Sequence, residues 1–256
     1  SAIVGNFMIT EDLSFISPDD DVVEIPLLGN ALKLSGDGQT LLAGTSKHLK
    51  KIEGLYPEKY ISYLGSISTY HFDGAEWTLS APILRPSKKR YTDFGDALAI
   101  NYDGSIIALS LESEQIDQYS DEIEGQALLN GFAKVFEKDK NGEWKQLGNT
   151  IHGMHIDQFG NQLAMNKDGT KLAVTSYGSD PDSKALNMDF VSIFNFTDQK
   201  EWKKLGEKMK KDRASEGFPI SVGLNENGTT VLFGHSNMNE IGIAYGEVVV
   251  FKIPQE

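Results

Sequence analysis

Two histidines three residues apart, His152 and His155, followed by Asp157 in the stretch IHGMHIDQ, are the side chains here that come nearest to a transition-metal site. Imidazole and carboxylate are good zinc ligands, but a site needs three or four of them converging on one point. The next candidate, His235 in FGHSNMNE, lies far along the chain. These histidines are therefore expected on the surface or in loop packing, and no metal site is assigned. Calcium poses the same question for the acids. The stretch ESEQIDQYSDEIEGQALLN holds Asp117, Asp121 and Glu124, and SDPDSKALNMD holds Asp180, Asp182 and Asp189. Calcium takes about six to eight oxygen ligands. Tyr119 stands where such an oxygen is needed, and no glycine follows Asp121. Both stretches read as solvated acidic loops; no cofactor is expected, calcium being the one ion they leave open.

Contact chemistry is easier to find. KHLKKIEGLYPEKYISYL, from Lys47 to Leu64, interleaves His48 and several lysines with Tyr56, Tyr60 and Tyr63. Aromatic rings with a polar tip suit a protein partner or stacking on a sugar. Two basic clusters, LRPSKKRYTD and EKMKKDRASEG, read as solvated edges or as docking points for an anionic surface. Catalytic signatures are missing: there is no Gly-x-Ser-x-Gly, His-Glu-x-x-His, phosphate loop or dinucleotide fingerprint. No catalytic residue is assigned. Glycosidase carboxylates are recognised by a separation of about 5 to 9.5 Å in space, so a glycoside hydrolase using acidic residues stays open as the alternative.

What must position these side chains is a repeated element. LGNALKLSGDGQTLLAGTS, FGDALAINYDGSIIALSLES, FGNQLAMNKDGTKLAVTSYGS and FPISVGLNENGTTVLFGHS place their turn glycines at Gly38, Gly104, Gly169 and Gly228. Each reads as two apolar runs joined by a two-residue β-hairpin at Asp-Gly or Asn-Gly. A second feature keeps the same beat. ISTYHFDGAEWTLSAPI, AKVFEKDKNGEWKQLGNTI and VSIFNFTDQKEWKKLGEKM pair alternating strands through a polar turn that ends in Glu-Trp, at Trp77, Trp144 and Trp202.

Each unit thus offers four strands, a and b around the first turn, c and d around the second. One such sheet leaves its faces bare, and radial packing of equivalent sheets covers them. The expected fold is all-β: a single β-propeller domain over residues 1–256, with about four four-stranded antiparallel blades. The units fall at about 28–93, 94–158, 159–217 and 218–256 plus 1–27, with the N-terminal strand EDLSFI closing the last blade. The segment EWKKLGEKMKKDR could be partly helical, but it occupies the place of a strand d.

The recurring Phe94-Gly95 and Phe159-Gly160, followed by ALAINYDGSIIALS or QLAMNKDGTKLAVT and later GFAKVF, resemble the FG-GAP repeat of integrin α-subunit propellers. The resemblance implies a propeller that binds or adheres without catalysis, in an extracellular setting. Calcium-binding members carry Asp-x-Asp-x-Asp-Gly loops. The turns here, SGDGQ, NYDGS, NKDGT and NENGT, hold at most one acid each, so Asp37, Asp103 and Asp168 read as turn formers.

Composition narrows the partners. With 37 acidic and 24 basic residues the formal charge is −13, which repels nucleic acid and anionic membranes. No apolar run approaches the roughly 18 residues of a spanning helix, and the start lacks the pattern of a signal peptide. With no cysteine, disulfides and thiol chemistry are excluded, while the compartment stays open. Propeller connections b-c and d-a share one end of the molecule, and here they are the long, dissimilar ones. That end is the expected binding face for a protein or carbohydrate ligand, through loops 47–64, 112–130 and 178–189. The residues expected to serve it are His48, Tyr56, Tyr60, Tyr63, Asp117, Tyr119, Asp121, Asp180, Asp182 and His235. A subunit of a larger assembly, pairing incomplete rings, is a further reading.

Overall fold

The computed structural model describes residues 24–26, 31–52, 59–84, 95, 97–111, 131–153, 159–178, 188–210, 219–238 and 244–253. Within them the chain is all strand: four small antiparallel sheets arranged as a four-blade propeller, and no helix. The first blade holds β1 (Glu24–Pro26), β2 (Ala31–Leu34), β3 (Thr40–Ile52), β4 (Lys59–Phe72) and β5 (Trp77–Leu84). The second holds β6 (Ala97–Ile100), β7 (Ile106–Leu111), β8 (Phe132–Lys138), β9 (Trp144–Gln146) and β10 (Ile151–His152). The third holds β11 (Leu163–Met165), β12 (Lys171–Gly178), β13 (Met188–Phe196) and β14 (Trp202–Lys210). The fourth holds β15 (Pro219–Leu224), β16 (Thr230–Met238) and β17 (Ala244–Lys252).

Strands a to d follow one another as the repeat predicts, with strand d of the second blade split into β9 and β10 on one edge of β8. WKKLGEKMK is strand β14, not helix, because pairing with β13 overrides its helical propensity. Residues 24–26 pair with β3 at Lys50, Leu49 and His48. That assigns them to the first blade and corrects their expected place in the fourth, since β3 outruns β2 and leaves an edge to fill. The closing strand expected at 11–16 lies outside the described residues.

The a-b turn is larger than a two-residue hairpin. That geometry needs positive φ at both central residues. In the third blade only Gly169, at +75°, has it. Asn166 N–H donates to Lys171 O and Gly169 N–H to Asn166 O, closing a four-residue loop. Side chains lock it. Asn166 Oδ1 accepts Lys171 N–H at 2.7 Å, its Nδ2 donates to Asp168 Oδ1 at 2.7 Å, and the same oxygen accepts the Thr170 hydroxyl at 2.6 Å. Asn101, Asp103 and Ser105 repeat the network in the second blade. Ser35 with Asp37 does so in the first, and Asn225 in the fourth.

These bonds hold the Asp103 carboxyl below the usual carboxylate range, the Ser105 hydroxyl contributing most and burial opposing. At Asp168 burial is the largest influence and raises the pKa, but the hydroxyl and N–H of Thr170 with the Asn166 amide outweigh it, so the net direction is again down. A depressed folded-state pKa contributes stability above the unfolded value, lost as pH falls through the folded one. The melting midpoint should therefore hold steady above about pH 5 and fall below about pH 4. The double variant Asp103→Asn, Asp168→Asn removes the titrating groups and keeps a side-chain oxygen, as the fourth repeat has Asn227 at the matching position, and should show a shallower acid limb. An unchanged limb in calorimetry would refute the assignment.

Alternation along each strand feeds two interfaces. Leu172 and Val174 pack into the core shared with the second blade, and Ala173 between them packs into the core shared with the fourth. Likewise Leu42 and Ile67 meet Leu98, Ile107 and Leu109 between the first and second blades. The successive interfaces explain both repeated signatures. Trp144 Nε1 donates to Thr69 Oγ1 of the preceding blade at 3.2 Å, and Trp202 Nε1 to Leu147 O of its preceding blade at 2.9 Å. The Phe-Gly glycines hold φ of +97° at Gly95 and +100° at Gly160. At Gly160 the carbonyl accepts the Ser110 hydroxyl from the blade before.

Candidate binding face

The two ends of the propeller differ in chemistry. The end that carries the a-b and c-d turns is occupied by structural hydrogen bonds. Asp73 Oδ1 accepts N–H groups of Ala75 and Glu76, and Asp139 Oδ1 those of Asn141 and Glu143. The Glu76 N–H leads the influences that hold Asp73 below its ordinary value; the Glu143 N–H leads at Asp139. Burial pushes the Lys138 ammonium down. Its Nζ lies 5.8 Å from the Trp144 ring centre and donates to Ser80 Oγ. Among the described residues these shifts are those of turn-forming and packing groups, and none lies at the opposite end. A cavity of about 460 Å³ opens at the c-d turn of the third blade, lined by Asn195, Thr197, Asp198, Gln199, Lys203 and Lys204 among others. Sequence reasoning missed it because its residues belong to a turn that looks like its counterparts in the other blades.

Among the described residues, the opposite end carries a ribbon. β3 has 13 residues and β4 has 14, whereas the b and c strands of the other blades have 6 to 9. Register runs unbroken from Thr40↔His71 to Ile52↔Lys59, so two-thirds of the loop expected at 47–64 is strand. His48, Tyr60 and Tyr63 therefore stand on paired strands rather than in a loop, a correction that follows from the alternating HLKKI and KYISYL runs. His48 pairs with Tyr63, and Lys51 with Tyr60. An antiparallel ladder puts paired positions on one side and odd-spaced ones on opposite sides. Positions 48 and 63 thus share one side of the ribbon, and position 60 belongs to the other. Tyr56, Asp117, Tyr119, Asp121, Asp180 and Asp182 lie outside the described residues.

His235 pairs with Glu247 and Pro219 in the fourth blade, while exposed His152 is on β10 of the second, its ring 6.4 Å from Phe132. The two histidines are thus held two blades apart. Among the described residues no three His, Asp or Glu side chains gather as metal ligands would. The basic segment expected as a connector begins as strand: β14 runs through Lys210, and Lys208 Nζ lies 4.8 Å from the Phe190 ring centre. No helix in the described residues is long and apolar enough to cross a membrane.

Fold and face together define a four-blade propeller with one extended ribbon. No protein-family profile matches the sequence, and no curated protein matches it. Solved structures do. Hydrazine synthase of Kuenenia stuttgartiensis aligns at 12% identity and a TM-score of 0.43, over 82% of this chain and 64% of that one. The β-propeller domain of the trilobed protease from Pyrococcus furiosus aligns at 13% identity and 0.43, over 89% and 55%. BT0996, solved as an RGII complex, aligns at 12% and 0.45, over 91% and 74%. The present protein thus spans less than two-thirds of the length of the first two.

Proposed function

We propose that this protein is a non-enzymatic binding propeller that takes a protein or glycan ligand at its ribbon end. The observation that carries the reading is the β3–β4 ribbon, which extends past the length of every other b-c pair and bears His48, Tyr60 and Tyr63 among four lysines, Lys47, Lys50, Lys51 and Lys59. Aromatic positions on a rigid two-stranded support lose little entropy on binding, which favours contact residues there. The resemblance to FG-GAP repeats supports the same role, adhesion in an extracellular setting, with loops 112–130 and 178–189 as neighbouring contact surfaces.

The test is a screen of the purified protein on immobilised polysaccharides and on a cell-surface protein panel, repeated with the triple variant His48→Ala, Tyr60→Ala, Tyr63→Ala. Truncating an aromatic residue that serves as a binding hot spot costs about 2 kcal/mol or more. The expected result is a ligand whose affinity drops at least tenfold in the variant, with an unchanged melting midpoint. A ligand held equally well by the variant overturns the assignment, and turnover of a bound glycan overturns the non-enzymatic reading.

A further inference from the structure

The outer half of the ribbon, positions 47–52 of β3 paired with 59–64 of β4, holds four of the chain's 24 basic residues and none of its 37 acidic ones. The acids of this stretch, Glu53 and Glu58, fall between the two strands, outside the described residues. On a chain of net charge −13 these cations work against the field of the whole molecule, so they must act at short range. Register divides them between two sides. Lys47 pairs with Leu64 and Lys51 with Tyr60, which puts these four positions on one side. The other side carries Lys50 and Lys59, but also Glu24, which pairs with Lys50 from β1. The excess of positive charge is therefore greater on the side of Tyr60.

We propose that the Tyr60 side of the ribbon binds a polysaccharide rich in uronic acid, Lys47 and Lys51 supplying charge for its carboxylates and Tyr60 a platform for a sugar ring. The proposal rests on the ribbon being the ligand-binding element, and adds the class of ligand. Directly paired positions have Cβ atoms about 4.5–5.5 Å apart, so the Lys51 and Tyr60 positions are neighbours. A sugar lying against the phenol thus brings a carboxylate at its rim within reach of an ammonium. Lys47 stands four residues back along β3, about 13–14 Å away at a rise of about 3.4 Å per residue, and serves a second carboxylate farther along the polymer. The type of cation separates this ligand from other anions. All four are lysine, with no arginine at any of these positions. Arginine is enriched and lysine depleted at protein–protein contacts, and it is the planar fork of arginine that matches phosphate in nucleic acids. Lysine offers a compact point charge, which suits single carboxylates spaced along a chain.

Immobilised polygalacturonate, its methyl ester and single-stranded DNA test the proposal. Polygalacturonate should be retained, less so as salt rises, and the methyl ester, which keeps the sugar and removes the charge, should not. Lys47→Gln with Lys51→Gln should weaken binding about tenfold, whereas Lys47→Arg with Lys51→Arg should preserve it. Lys50→Gln with Tyr63→Ala, on the other side, should change it by less than about twofold. Melting midpoints equal to that of the wild type establish that each variant is folded. No retention of polygalacturonate, equal retention of the methyl ester or of the DNA, or a loss that follows Lys50 and Tyr63 instead of Lys47 and Lys51 would each overturn the proposal. The binding role of the ribbon would survive these outcomes if another ligand is lost with His48→Ala, Tyr60→Ala, Tyr63→Ala, and falls only if the ligand is held equally well by that triple variant.

Discussion

Replacing Trp202 by alanine is expected to destabilise the protein by about 3–5 kcal/mol, the range for truncating a large buried aromatic. Trp202 is 4% exposed, sits 5.2 Å from the Phe196 ring centre and anchors the core between the second and third blades. Truncation also strands partners. The indole N–H leaves Leu147 O without its donor. Asn149 Oδ1 accepts the Trp202 backbone N–H at 2.7 Å, a bond that survives only if the turn keeps its place. Against a total stability of about 5–15 kcal/mol the loss is severe. Trp77→Ala, at a half-buried position, should cost less than half as much. Urea melts of both variants decide it: equal losses would show that the tryptophans do not act as latches between blades.

The second large effect is expected at Gly160. Its φ of +100° lies where side chains are strained by about 1–3 kcal/mol. A Cβ there would also come 2.7 Å from Ser110 Cβ in the preceding blade, and relieving such overpacking adds about 1–3 kcal/mol. Gly160→Ala should therefore lose roughly 2–6 kcal/mol by these two terms together. The terms separate experimentally. Ser110→Gly in the Gly160→Ala background removes the clash, and reproduces Gly44, which faces the Gly95 carbonyl one interface earlier. It leaves the backbone strain untouched. Partial rescue is the expected outcome of the double-mutant cycle. Strict additivity would show that Ser110 and Gly160 do not meet.

Both predictions concern residues that the sequence marks by repetition, and their meaning changed with the structure. Phe-Gly and Glu-Trp were legible as a shared period because equivalent blades need equivalent contacts. That Gly160 turns its carbonyl to Ser110, or that Trp144 reaches Thr69, depends on pairs 50 and 75 residues apart. No local pattern encodes such pairs. The Asp-Gly turns show the same division: the dipeptide announces a reversal, but the loop length is set by Asn101 and Asn166, whose side chains replace a backbone acceptor. The asparagines stand at matching places in three of the four repeats, so this signal was present and was read only as far as the glycine.

The candidate face was less legible than the fold. Tyr60 and Tyr63 were visible as aromatic candidates for contact, but tyrosine also favours strands, and alternation over 59–64 was the sign that they belong to β4. Proximity of His152 and His235 was open in the sequence and is decided by the blades that carry them. By itself the sequence determined the strand order within each blade and the all-β class, since alternation, turn chemistry and a repeat period are local properties of the polypeptide. Only the tertiary structure decided which face of each sheet meets which neighbour and where the latches close, because burial is a property of what lies across the interface.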